Sequence, residues 1–180
     1  AEKTLRESEE RYRAIVENTT EWIWEMDATG RHTFTNPMVT SILGFSPREV
    51  LEQDFSTLLH EEDSAVVNER LPQLIADRQG WRGWVLRWRH KDGGYRFLES
   101  NARPILDEAG MLLGYRGADR DITERMEQEE ALRHSQALLQ GVFEGTDDCI
   151  FVKDGNGRYV LHNEALRKFL VRLLGDAFPA

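Results

Sequence analysis

The stretch from residue 90 to residue 123 constrains the fold more than any other part of the chain. It contains three strand-like runs separated by two turn signals, Asp92-Gly93-Gly94 and Asp107-Glu108-Ala109-Gly110. Runs joined by such short turns predict a three-stranded antiparallel meander. Directly after the third run, Asp121 and Glu124 form a D-x-x-E pattern, an aspartate variant of the capping box that starts helices. The sequence therefore predicts a sheet that continues into a helix at one defined point.

The part of the chain before the meander predicts a hairpin surrounded by helices. Apolar residues at a spacing of three and four predict an amphipathic helix over the first eighteen residues. Two strand-like runs, residues 22–26 and 32–36, flank the turn Asp27-Ala28-Thr29-Gly30. Further along, the patterns predict short helices over residues 37–43 and from the capping box Ser46-Pro47-Arg48-Glu49, a longer helix over 63–78 and a strand over 84–90.

The chain repeats itself at a constant spacing of 127 residues. Asp27 and Asn36 recur as Asp154 and Asn163, and the helix and strand patterns around them recur in the same register. Ungapped matches of this kind indicate a tandem module, and we expect the sequence to be cut inside the second copy, before its last three strands. The expected organisation is an N-terminal amphipathic helix, a complete module, a connecting helix and a truncated second module, at residues 1–18, 19–123, 124–144 and 145–180.

An ordered set of motifs gives the chain a family resemblance. The motifs are Asp27-x-x-Gly30, Asn36, Gly44-Phe45-Ser46-Pro47-x-Glu49, Lys91-Asp92-Gly93 and Asp121-Ile122-Thr123. With this spacing the chain resembles the PAS domain with its PAC segment, completely over residues 8–125 and partially over 135–180. The resemblance implies an α+β fold: a five-stranded antiparallel sheet with short helices on one face, a cavity between them, and signalling helices at both ends. It also implies that Asp121, Ile122 and Thr123 form the junction between the last strand and an output helix.

Strand alternation predicts which side chains face the cavity. In the run from 84 to 89 the charged residues share one face, so the tryptophans of the other face point inward. The complete set of predicted cavity residues is Trp24, Met26, Asn36, Trp84, Leu86, Trp88, Leu98, Ser100 and Asp119. Two interpretations remain open for this set. The tryptophans fill the cavity as a packed core, or they form the walls of a pocket for a planar ligand that Asn36, Ser100 or Asp119 orients.

Asp119 is the most informative of the predicted polar residues. If its side chain points inward, the carboxylate needs a buried partner or an altered pKa. If it points outward, it forms a surface pair with Arg116 or Arg120, and we expect this second arrangement slightly more than the first.

The PAS resemblance also allows the cofactors of that family to be tested on this sequence. The covalent FMN of its blue-light members needs a reactive cysteine, and residues 54–59 contain none, which excludes it. Residues 61–67 offer no histidine, which argues against haem. Non-covalent FAD needs no single ligand residue and remains possible, and Trp81-Arg82-Gly83 is faintly similar to a motif of members that bind it. The cofactor, if there is one, is therefore unknown.

Composition excludes several other functions. A net charge of −9 without a basic cluster argues against binding to nucleic acid and against direct contact with anionic membranes, and no apolar run approaches the roughly 20 residues needed to span a bilayer. No nucleophile–base pair or phosphate loop is present, so we expect no enzyme activity. Residues 60–63 predict helix capping rather than a metal site, and Cys149, at the repeat position of Trp22, is expected to be a buried strand residue. We expect a cytoplasmic protein, or the cytosolic part of a membrane-anchored sensor.

Two functions follow from the sequence. The first is a sensory module that binds a small molecule and signals through Asp121-Ile122-Thr123 to an output domain in the same chain. The second is a ligand-free module that sets the geometry of a dimer and the spacing of its neighbours. We expect a homodimer, because the leading helices have apolar stripes and the outward-facing Tyr95 and Phe97 offer them a sheet surface to cover, although packing within one monomer is the alternative.

Overall fold

Five antiparallel strands form one sheet in the first part of the chain. They are β1 (Trp22–Asp27), β2 (His32–Thr35), β3 (Trp81–Arg89), β4 (Tyr95–Leu106) and β5 (Leu112–Asp121). Their order across the sheet is β2-β1-β5-β4-β3, so both predicted turns of the meander join neighbouring strands. The computed structural model describes residues 2–175. The chain divides into two units, residues 1–126 and 127–180.

The helices that follow the first hairpin, within residues 38–77, pack on one face of the sheet. The helices of the first unit are α1 (Glu2–Glu17), α2 (Met38–Leu43), α3 (Pro47–Glu52), α4 (Phe55–Leu58) and α5 (Glu61–Asp77). The predicted capping box of α3 is present, since the Ser46 backbone N–H donates to the Glu49 carboxylate at 2.7 Å and the Glu49 N–H donates to Ser46 Oγ at 3.3 Å. The sequence therefore predicted both the α+β class and the sheet, and the fold confirms them.

Two predicted boundaries were wrong. Strand β3 begins at Trp81, three residues earlier than predicted, because Gly83 has a φ of +65° and interrupts the alternation with a bulge. Helix α5 begins at Glu61, because the His60 side chain accepts the Glu62 N–H at 3.3 Å and caps the helix. The helix α6 (Thr123–Gly145) begins after Asp121, as the capping pattern predicted, since the Asp121 carboxylate accepts the Thr123 N–H at 2.8 Å and the Met126 N–H donates to the Ile122 carbonyl.

The core of the first unit lies between the sheet and α2–α5. Its largest members are tryptophans from the strands, and aliphatic side chains such as Val39, Leu43 and Leu58 from the helices pack against them. Burying each of these aliphatic side chains contributes about 1.5–3 kcal/mol. The tryptophans are therefore held in position by side chains from both layers.

The second unit contains the hairpin β6 (Phe151–Lys153) and β7 (Tyr159–His162), followed by α7 (Glu164–Leu174). Here the prediction for Cys149 was wrong, because this residue is exposed and lies outside β6. Its counterpart Trp22 is covered by Trp88 of β3 at a ring distance of 4.8 Å, and the described part of the second unit has no strand in the place of β3. No helix within residues 2–175 has the length and apolar character needed to cross a membrane.

Candidate functional site

A cavity of about 30 Å³ lies between the inner face of the sheet and helices α4 and α5. Six of the predicted residues line it: Trp24, Met26, Trp84, Leu86, Trp88 and Ser100. Sequence reasoning missed five others, His32, Phe55, Val67, Leu71 and Trp81. For Trp81 a signal existed, since the Trp-Arg-Gly sequence before residue 84 is a strand once the glycine is read as a bulge.

All five tryptophans of the chain belong to one aromatic cluster around this cavity. Trp81 stacks between Trp24 and Trp84, with ring centroids 6.0 and 5.2 Å away, and Trp22 meets Trp88 edge-on at 4.8 Å. Such pairs stabilise a fold by about 0.5–1.5 kcal/mol each beyond the area that they bury. The side chains occupy most of the space, because pockets that hold drug-sized ligands measure about 300–1,000 Å³. The packing favours the interpretation in which tryptophans fill the cavity.

Asp119 is completely buried beside the cavity, behind Trp24. The Trp24 Nε1–H donates to Asp119 Oδ1 at 2.9 Å, and Ser100 lies opposite Asp119 in the β4–β5 register. Burial raises the pKa of Asp119 to about 6, although the Ser100 and Trp24 side chains act in the opposite direction. Asp119 does not itself line the cavity. Its side chain is thus a buried acid attached to a cavity wall.

The expected surface pair of Asp119 with an arginine was wrong. Arg116 instead donates to Glu25 at 2.6 Å, and Arg120 donates to Glu21 at 2.9 Å. The physical reason is strand alternation, since both arginines lie on the face of β5 opposite to Asp119.

Two polar atoms at the cavity have no hydrogen-bond partner among the described residues, His32 Nδ1 and Trp88 Nε1. The His32 ring lies 5.5 Å from Trp22 and 5.8 Å from Trp24. Burial lowers the pKa of His32 to about 4, against a smaller opposing influence of Asp54, so the imidazole is neutral at pH 7. The cavity therefore offers one indole donor and one neutral imidazole without partners, in a wall of apolar and aromatic side chains and the Ser100 hydroxyl, which accepts the Trp81 Nε1–H.

Asn36 and Leu98 lie outside the cavity, which corrects their predicted place in it. The Asn36 Nδ2–H₂ donates to the Val16 carbonyl at 3.0 Å and to the Glu21 carbonyl at 3.1 Å, and its Oδ1 accepts the Ile23 N–H at 3.0 Å. These three bonds tie the last turn of α1 to the hairpin, so all the polar atoms of the side chain are used locally. We call this arrangement the Asn36 clamp. Leu98 is fully buried in the core instead.

The predicted junction is anchored to strand β4. The Ile122 N–H donates to the Phe97 carbonyl at 2.9 Å, and the Phe97 N–H donates to Thr123 Oγ1 at 2.9 Å. The Asp121 carboxylate accepts the Thr123 N–H at 2.8 Å, while the Ile122 side chain is buried. The first turn of α6 is therefore attached to the sheet by backbone and side-chain bonds. Sequence reasoning missed Phe97, because its contribution comes from its backbone.

Within the described residues, no group of three or more His, Cys, Asp or Glu side chains is arranged to hold a metal ion. The segment from His60 to Asp63 instead joins α5 to the edge of the sheet. The Arg87 guanidinium donates to both oxygens of Asp63, at 2.7 and 3.0 Å, and the His60 N–H donates to the Arg87 carbonyl at 2.8 Å.

Comparison with known proteins identifies relatives of this chain by sequence. The chain is 27% identical over 155 residues to a nitrogen fixation regulatory protein of Klebsiella pneumoniae, a match that covers 86% of this chain and 31% of that protein. The chain therefore spans less than a third of this relative.

Comparison with solved structures gives matches that share this fold. A sensory box histidine kinase/response regulator from Burkholderia thailandensis is 25% identical with a TM-score of 0.56, covering 72% of this chain and 98% of that one. A PAS domain from Colwellia psychrerythraea shares the fold with a TM-score of 0.58 and 23% identity, covering 64% and 97%. The PAS fold family matches residues 10–122. The chain therefore belongs to the PAS family, whose members are sensory, non-catalytic modules of signalling proteins.

Proposed function

We propose that residues 2–126 form an input module in which a change at the tryptophan cavity passes through Asp119 to helix α6. The single observation that carries this proposal is the hydrogen bond from Trp24 Nε1 to Asp119 Oδ1. Trp24 lines the cavity, and Asp119 lies two residues before Asp121, where β5 ends and the junction begins. One bond thus connects the wall of the cavity with the strand that leads into the helix.

The proposed mechanism depends on the free-energy cost of leaving a buried carboxylate without hydrogen-bond donors. A ligand that displaces Trp24 removes a donor from Asp119, and a buried ionised group with too few hydrogen bonds is strongly disfavoured. The end of β5 then shifts or Asp119 takes up a proton. Either response changes the attachment of Ile122 and Thr123 to Phe97. The ligand must bind the two packing states with different affinity for this coupling to exist.

The size of the cavity limits the ligand. A volume of about 30 Å³ accommodates only a few atoms, so anything larger requires the half-buried Trp84 or the helical Leu71 to move aside. In this packing the cavity is too small for the three-ring system of a flavin. Binding of non-covalent FAD therefore stays a prediction that requires these side chains to move. A small ligand would meet the unpartnered Trp88 Nε1 and His32 Nδ1 as its hydrogen-bonding groups.

The second candidate function is a ligand-free module for dimerisation and spacing. The filled cavity favours it, because tryptophans packed against one another, by stacking and by an edge-on contact, need no ligand to be stable. Exposed Tyr12 and Ile15 on α1 provide apolar surface for a homodimer. A module can both bind a small molecule and form a dimer. The experiment below therefore separates the two functions only by whether the cavity binds a ligand.

The absorbance spectrum of the purified full chain, followed by denaturation and identification of released small molecules, tests the two candidates. A visible chromophore or a released ligand supports the sensory function and makes the cavity residues its binding site. A colourless protein that releases nothing, and whose tryptophan emission no small molecule from a screen alters, contradicts ligand input and supports the second function.

Substitution of the junction tests the transmission step separately. Asp121→Ala removes the acceptor of the Thr123 N–H and should cost about 0.5–2 kcal/mol at the start of α6. We expect the sheet to remain folded, with unchanged tryptophan emission, while the amides of the first turn of α6 exchange faster. Global unfolding of this variant would contradict a junction role.

In the full-length protein we propose that α6 leads to a second PAS module and then to an output domain, either a histidine kinase or a domain that makes or degrades a cyclic dinucleotide. The support for a second module is a copy of the Asn36 clamp, in which Asn163 Nδ2 donates to the Phe143 and Asp148 carbonyls at 3.0 and 2.8 Å. We place the protein in the cytoplasm, or on the cytosolic side as part of a membrane-anchored sensor.

A further inference from the structure

A second concave surface lies on the opposite face of the sheet from the tryptophan cavity. This outer groove has a volume of about 480 Å³ and three arginines along it, Arg82, Arg103 and Arg116. Ile23 and Ala118 contribute apolar surface between them. No acidic residue of the described chain lines the groove.

Two of the three arginines of the outer groove are not neutralised by an ion pair with any described residue. Arg103 and Arg116 stand directly opposite each other in the β4–β5 register, an arrangement of like charges that destabilises a sheet. Arg116 is paired with Glu25 at 2.6 Å. Arg82 and Arg103 form no ion pair with any residue in 2–175. Unpaired positive charge is thus concentrated in one groove of a chain whose net charge is −9.

The bulge in β3 belongs to the architecture of the groove. Gly83 adopts a φ of +65°, and its N–H donates to Asn101 Oδ1 at 3.0 Å, which fixes the bulge against β4. A side chain at residue 83 would point into open space, so the glycine meets a backbone requirement and not a steric one. Arg82, next to this bulge, lines the groove as a consequence.

We propose that the outer groove binds an acidic amphipathic segment of a partner protein. Carboxylates of the segment would pair with Arg82 and Arg103, since guanidinium groups bind carboxylates in a bidentate manner. Its apolar side chains would cover Ile23 and Ala118. The mixed character of the groove favours such a segment over a small inorganic anion, which would leave the apolar part uncovered.

The groove also has a built-in reporter. Trp81 lines both the outer groove and the tryptophan cavity, and its Nε1–H donates to Ser100 Oγ at 3.1 Å inside the sheet. A segment bound in the groove therefore contacts a residue whose ring stacks on Trp24. Binding should change the tryptophan emission, and because Trp81 lines both sites, the effect of substituting groove arginines identifies the face of the sheet that is occupied.

The test uses the full chain and a fluorescein-labelled synthetic helix peptide with glutamate on one face and leucine on the other. We expect the wild type to bind the peptide and to change its tryptophan emission, with an affinity that falls as salt rises. The double variant Arg82→Gln/Arg103→Gln should bind at least about tenfold more weakly. The matched control Arg48→Gln/Arg89→Gln removes two exposed charges outside the groove and should bind as the wild type does.

Three outcomes would overturn the proposal. They are absence of binding to the wild type, equal binding by the groove variant and the control variant, or complete displacement of the peptide by millimolar inorganic phosphate, which would indicate a small-anion site. Thermal unfolding of both double variants at the wild-type temperature excludes misfolding as the cause of a loss. A result on the groove leaves the proposed cavity function untouched, because neither Arg82 nor Arg103 lines the cavity.

Discussion

The first module (residues 1–126) and the second unit of the chain (residues 127–180) share the local structure of their hairpins and differ in the burial of their side chains. Asn36 Nδ2 donates to the Val16 carbonyl at 3.0 Å, and Asn163 Nδ2 donates to the Phe143 carbonyl at the same distance. Both Oδ1 atoms accept a backbone N–H from thirteen residues earlier, again at 3.0 Å. The clamp that joins a helix to the following hairpin is therefore formed from a short segment alone.

The side chains of the two hairpins have different environments. Trp24 is 3% exposed, whereas Phe151, at the same position of the repeat, is 47% exposed. In the first module β3, β4 and β5 complete the sheet and bury the tryptophans, and residues 127–175 contain no such strands. The comparison teaches that turns and clamps are encoded locally, while the cavity exists only where the meander contributes its strands.

The largest expected effect concerns the two clamps. Asn36→Ala leaves three backbone groups without partners and should lower the free energy of unfolding of the first module by about 4 kcal/mol. Asn163→Ala should leave that transition unchanged. All five tryptophans precede residue 90, so their emission during urea unfolding follows the first module alone. Equal loss in both variants would show that the two units unfold as one.

The stability of the first module depends on pH through two buried titratable groups, Asp119 and His32. The pKa of Asp119 is raised from 3.8 to about 6, so its stabilisation is complete below pH 3.8 and is lost as the pH rises through 6. The pKa of His32 is lowered from 6.5 to about 4, so its stabilisation is complete above pH 6.5 and is lost as the pH falls towards 4. In the wild type these two slopes oppose each other.

Asp119→Asn removes one of the two slopes. Between pH 7 and pH 4 this variant should lose about 2 kcal/mol more unfolding free energy than the wild type, since its His32 contribution is no longer offset. Urea unfolding at several pH values, followed by tryptophan emission, measures the difference. Parallel profiles for wild type and variant would mean that Asp119 is not the buried acid described above.

Glycines at equivalent turn positions should respond differently to substitution. Gly30 and Gly157 have φ angles of +87° and +78°, so alanine at either costs about 1–2 kcal/mol of backbone strain. At Gly30 the added Cβ would also meet the Phe55 ring at 2.7 Å, whereas nothing lies within 4 Å of Gly157. We expect Gly30→Ala to lower the unfolding midpoint of the first module and shift tryptophan emission. An emission spectrum identical to wild type would contradict the contact with Phe55.

The smallest effect is expected at the two aspartates of the hairpin turns. Asp27 Oδ1 accepts the N–H groups of Thr29 and Arg31, and the Thr29 contacts hold its pKa below the usual value. Asp27→Ala should cost about 1 kcal/mol in the tryptophan-detected transition, and Asp154→Ala should change only the exchange of amides in its own hairpin. A larger loss of stability from Asp154→Ala than from Asp27→Ala would contradict the expectation that the turn aspartate of the first module contributes more.

Sequence patterns predicted the sheet and most of the cavity because both depend on short-range periodicity. Alternation placed Trp24 and Trp88 correctly, and the turn motifs fixed the meander. The bulge at Gly83 concealed Trp81, since one extra residue reverses the predicted faces of a strand. The role of Asn36 could not be predicted from its residue type, because its partners are backbone carbonyls fifteen and twenty residues earlier.

Amide hydrogen exchange at the junction tests the central claim of the account, that Trp24 and the start of α6 are coupled through Asp119. The variant Trp24→Phe keeps an aromatic ring but removes the donor to Asp119, and the matched control Trp88→Phe removes an indole N–H that has no partner among the described residues. We predict that the Ile122 and Met126 amides exchange about fivefold faster in Trp24→Phe, as loss of one hydrogen bond implies, and at the wild-type rate in Trp88→Phe. Equal exchange at these amides in the wild type and a folded Trp24→Phe variant would contradict the account.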